Sequence, residues 1–114
     1  MPDLDQLTET HLATARTAEN GRSAEILVHD GPLRQTVLAL AEGVELGEHN
    51  SPPAASILVL HGRLRVTALA GDEEVSAGEL RVLTHHRHAV LALTDAVFLL
   101  TTVTGVDNPV TTTP

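Results

Sequence analysis

From Gly21 onward the chain is a series of short apolar runs broken by turn-forming residues, and that rhythm limits what it can fold into. Candidate strands span 23–29, 33–41, 56–60, 63–68, 80–83, 89–93 and 97–103. Between them stand Asp30-Gly31-Pro32, Glu42-Gly43, His61-Gly62, Gly71-Asp72, Ala77-Gly78-Glu79 and Thr94-Asp95. Turn signals at this spacing predict an all-β sandwich or barrel. No helix-length pattern separates the strands, which argues against a parallel α/β sheet.

Before Gly21 the period changes. Leu4, Leu7, His11, Ala15 and Ala18 recur at helical spacing, so a short helix is predicted over 3–20. Asp3 with Gln6 three residues on predicts a capping box, and Gly21 is placed to close the other end. The expected organisation is a helical segment over 1–22, a barrel over 23–103 and a loose tail over 104–114.

Three runs, 37–41, 57–60 and 97–100, are apolar at consecutive positions and so on both faces. A small barrel buries only its inner face. Their outer side needs a cover, which the N-terminal helix and a second subunit would provide. A homodimer is the expected assembly.

Composition removes several classes of function. The net charge is −8, with 15 acidic and 7 basic side chains. Phosphate backbones would be repelled, so no nucleic acid is expected as partner. All the basic residues are arginine, which excludes a lysine Schiff base. There is no cysteine, hence no disulfide, thiolate metal site or cysteine nucleophile. Phe98 is the one aromatic residue, so a site built on ring stacking is not expected. The acidic start, Met1-Pro2-Asp3-Leu4-Asp5, does not read as a signal peptide. No apolar run reaches membrane-spanning length, and the cytoplasm is the expected compartment. Neither a Gly-x-Ser-x-Gly elbow nor a phosphate-binding glycine loop is present.

The stretch from Gly43 to Gly62 resembles the first sequence motif of the cupin superfamily. That motif runs glycine, five residues, His-x-His, three or four residues, glutamate, six residues, glycine. Gly43 precedes His49 at the motif's spacing, and the run from Ile57 to Gly62 resembles the family's strand and turn. The second histidine position falls on Ser51 and the glutamate on Ala55. Ser76-Ala77-Gly78-Glu79-Leu80 resembles the turn before the second motif, whose histidine falls on His88 and whose asparagine falls on Ala92. The proline and glycine that precede that histidine are missing. The resemblance covers residues 33–103. It implies an RmlC-like double-stranded β-helix, the jelly-roll barrel, with His49 and His88 facing each other inside.

Cupin metal sites use three histidines and a glutamate, a donor set suited to zinc, nickel, iron or manganese. Here the resemblance retains His49 and His88, while Ser51 is a poor ligand and Ala55 is none. His86 shares a face with His88 if the segment is extended, so His49, His86 and His88 form an alternative three-histidine set. Equally, the histidines serve as polar lining of a pocket that includes Ser51, Ala55 and Ala92, with Ala54 also on the pocket side. His85, His86 and Arg87 then form a solvated loop, and His11 and His29 are surface residues. Arg63 and Arg65 alternate with Leu64 and Val66 and are assigned to a solvent face.

Three functions follow. One is a metal-poor, non-catalytic barrel that binds a small molecule, with no resident cofactor. Another is a metal-dependent enzyme, an oxygenase, isomerase or lyase, with a rearranged histidine site. The third is a partner-binding scaffold. Ser51 and Ala55 favour the first.

Overall fold

The computed structural model describes residues 3–49, 54–68, 71–83 and 88–104. One helix, α1 (Leu4–Thr17), precedes nine strands. These are β1 (Arg22–Asp30), β2 (Leu33–Leu40), β3 (Glu45–His49), β4 (Ala54–His61), β5 (Arg63–Ala68), β6 (Gly71–Ser76), β7 (Leu80–Leu83), β8 (His88–Ala92) and β9 (Ala96–Val103). The strands form two antiparallel sheets, ordered β1-β2-β9-β4-β7 and β3-β8-β5-β6. The all-β expectation holds.

Two strands escaped the sequence pattern. β3 reads Glu-Leu-Gly-Glu-His and β6 reads Gly-Asp-Glu-Glu-Val-Ser, both poor in β-formers. Both are edge strands, where pairing on one side suffices and charge is tolerated. Gly71-Asp72, expected as a turn, begins β6.

α1 is shorter than predicted. Asp3 Oδ1 accepts from the Asp5 and Gln6 amides, as an N-cap should. Gln6 reaches Thr10 instead of returning to Asp3, so the capping box is half made. At Ala18 the backbone becomes extended. Gly21, in the left-handed region at φ 68°, turns the chain into β1.

The core lies between the sheets. Leu40, Ile57, Val59 and Phe98 from the five-stranded sheet meet Leu64, Val66, Val75, Val90 and Ala92 from the other. Strand alternation puts every second residue of these strands inside. The runs that are apolar on both faces are β2, β9 and β4, neighbours at the centre of the larger sheet. Leu12 and Ala15 of α1 pack on the outer-facing Val37, Ala39 and Val97, with Leu27 and Leu60 at the margin. The helix therefore provides part of the predicted outer cover.

His11 corrects a sequence expectation. It is only 8% exposed, pinned between α1 and β1. Its Nδ1 lies 2.6 Å from Ser23 Oγ and its Nε2 2.9 Å from Glu25 Oε1. Both ring nitrogens are used to fasten helix to sheet, which offsets the burial of a polar ring.

The hairpin β4–β5 closes one end of the barrel. Gly62 turns there at φ 77°, and a Cβ on it would run into the Asp95 carbonyl oxygen. Asp95 gathers this end together. Its carboxylate accepts from Arg16 Nε and from the Glu42 amide, each at 2.8 Å. Those two bonds, the arginine's first, hold its pKa below the ordinary aspartate value.

Candidate functional site

The two ends of the barrel differ in what points inward. Toward the β4–β5 hairpin the interior is filled by Leu40, Leu64, Ala96, Phe98 and their neighbours. At the other end the inward positions become small or polar. In the larger sheet Arg34, Thr102, Ala55 and Leu83 lie in register across β2, β9, β4 and β7. One step deeper come Thr36, Leu100, Ile57 and Arg81. Arg34 and Thr36 alternate with Gln35 and Val37 and share the face of Leu38 and Leu40.

His88 opens β8 at this same end. It is half-buried and shares the inward face of Val90 and Ala92. Its backbone partner is His49. That pairing depends on an irregularity in β3. Glu45 pairs with Leu91 and Leu46 with Val90, so regular counting would set Glu48 opposite His88. One extra residue between Leu46 and His49, a stretch that contains Gly47, brings His49 into register instead.

Ala55 is 8% exposed and lies in phase with the inward Ile57 and Val59. Ala54 is out of phase and exposed, which removes it from the pocket side. Ala92 shares His88's face but sits four residues along, about 13 Å away, in the filled part of the core. Ser51 and His86 lie outside the described residues, as do His85 and Arg87. Arg63 and Arg65 lie outward, on the face opposite Leu64 and Val66, and both approach Glu74.

Among the described residues, the donors do not complete the four-ligand metal pattern. Where that pattern needs a carboxylate, Ala55 offers a buried methyl. Among the described residues, no group of three or more histidines and carboxylates is placed to hold a metal ion.

Arg34 was missed by the sequence reasoning. Among the described residues it is the one arginine without a hydrogen-bond or ion-pair partner. Arg16 meets Asp95, Arg22 the Glu45 carbonyl, Arg63 and Arg65 Glu74, and Arg81 Glu73. Arg34 Nε is buried with no acceptor among the described residues. The available signal was Arg34-x-Thr36-x-Leu38-x-Leu40, a strand whose inward face turns polar toward one end.

No family model matches the chain, and no curated protein does. Solved structures do. A conserved protein of unknown function from Streptococcus pyogenes superposes with a TM-score of 0.71 at 28% identity, over 78% of this chain and 79% of that one. A cupin superfamily protein from Desulfitobacterium hafniense gives 0.71 at 17% identity, over 77% of this chain and 82% of that one. A cupin 2 conserved barrel domain protein from Leptotrichia buccalis gives 0.69 at 30% identity, over 75% of this chain but 42% of that longer one. Among the described residues, no helix is long and apolar enough to cross a membrane.

Proposed function

We propose that this chain, which has the fold of a cupin barrel, binds a small molecule in the open end of that barrel, without a resident metal. The observation that carries this function is Ala55: a buried methyl faces inward where the family's metal pattern has its carboxylate. Beside it the inward surface is a mixture of aliphatic side chains, hydroxyls and a histidine, as small-molecule sites commonly are. In this proposal His49, Ser51 and His88 are the hydrogen-bonding groups of the pocket. The metal-dependent enzyme is the competing function, since paired backbones at His49 and His88 bring two imidazole-bearing residues together.

Elemental analysis separates the two. Purified protein is incubated with zinc, nickel, iron and manganese, desalted and measured, alongside His49→Ala and His88→Ala. The expected result is metal well below one equivalent in all three proteins. One equivalent in the wild type, lost in both variants, would overturn the proposal in favour of a histidine metal centre.

A further inference from the structure

We infer that the ligand is an aliphatic carboxylate whose head is held by Arg34. The inference rests on the proposed pocket and names the chemical class that the pocket takes.

A guanidinium stays charged at any pH a protein meets. Half-buried on an inward face, it needs an anion or several acceptors to offset its desolvation. The other described arginines find theirs among the described residues, and Arg34 does not. Its cross-strand neighbour is Thr102, and Thr36 stands two residues along the same face. A second orphan lies close by. Thr104 follows Thr102 by two residues, diagonal to Arg34, and its amide donates to the Pro32 carbonyl at 2.8 Å. The Thr104 hydroxyl is buried and, like Arg34 Nε, has no partner among the described residues. Two buried donors without acceptors among the described residues thus sit at one end of the β2–β9 pair. A carboxylate supplies two acceptor oxygens in one plane, the geometry a guanidinium edge matches.

Charge and shape narrow the class. A single unpaired arginine among the described residues, in a chain of net charge −8, suits a monoanion better than a phosphate dianion. Beside the inward Thr36 and Thr102, the neighbouring side chains Leu38, Leu83, Leu100 and Ala55 are aliphatic. The chain's single aromatic ring, Phe98, is buried in the filled end. The body of the ligand is therefore aliphatic.

Nitrogen-15 NMR on the full chain tests this directly, because the Arg34 Nε–H gives its own resonance, assigned by its loss in Arg34→Gln. The probes are hexanoate, its neutral counterpart hexanamide, and inorganic phosphate. Hexanoate is expected to move the Arg34 Nε–H signal saturably and to bind at least about tenfold more tightly than hexanamide, the scale of one charge-assisted pair. Arg34→Gln is expected to erase that preference. Arg34→Lys keeps the charge but not the fork and should retain part of it. The wild-type signal needs no variant to fold. Equal binding of hexanoate and hexanamide with an unmoved Arg34 signal would overturn the carboxylate and leave the pocket standing. Phosphate binding more tightly than hexanoate at Arg34 would overturn the carboxylate in favour of a phosphate. If neither organic probe perturbs the inward-facing residues, the pocket fails and the carboxylate with it.

Discussion

Asp95 shows how single residues hold the closed end. Its carboxylate ties the end of α1, through Arg16, to the turn after β2, through the Glu42 amide. Because its pKa in the folded chain lies below the ordinary value, the charged form favours the fold. That contribution is present above the unfolded pKa and is lost as pH falls through the folded one. Asp95→Asn should therefore lower stability at neutral pH by about 1 kcal/mol, a small figure because Arg16 is half exposed. The gap between variant and wild type should close as the pH drops below about 4. Urea titrations across pH measure both, and a pH-independent gap would refute the assignment. His11 and Arg34 show why residue-level reading stops where it does. His11 has the helical spacing of an apolar position, but its two partners lie 12 and 14 residues away on β1. Arg34 is recognisable as inward only once β2 is known to pair with β9 in a given register.

At the scale of elements, hydrophobic period carried most of the information. The three strands that are apolar on both faces were legible because the centre of the larger sheet is buried between the other sheet and α1. β3 and β6 were not, because an edge strand needs neither apolar faces nor strong β-formers. The bulge in β3 was illegible for a further reason. Pairing register depends on the partner strand, and spacing along one strand does not reveal it. The helix is the element whose removal has the clearest consequence. Leu12 is 7% exposed and fills the joint between α1 and the outer sheet face. Leu12→Ala should cost about 2–3 kcal/mol through lost burial and the void it leaves. Chemical denaturation reads the loss. A change under about 0.5 kcal/mol would mean that α1 contributes little to the fold.

At the scale of the whole molecule, the described residues leave an apolar surface that α1 does not cover. Beyond α1, the outer face of the larger sheet continues through the half-buried Leu99 and Leu58 to Leu80 and Val82, which are 59% and 77% exposed. Leu80 and Val82 belong to β7, which among the described residues is also an edge strand, with backbone groups unpaired on one side. The other described edges carry acid: Glu25 and Asp30 on β1, Glu45 and Glu48 on β3, and Asp72, Glu73 and Glu74 on β6. β7, Leu-Arg-Val-Leu, carries none. Two copies of a chain with net charge −8 repel across an acidic edge, so a second copy is best accommodated at β7. Pairing β7 with its counterpart would bury Leu80 and Val82 and satisfy both free edges. Light scattering at micromolar concentration should give twice the mass of the chain. Val82→Asp puts a carboxylate into that interface from each copy, and should halve the mass while leaving the circular dichroism of the fold unchanged. A wild-type protein that runs as a monomer would refute the dimer. A Val82→Asp protein that stays dimeric would move the interface elsewhere.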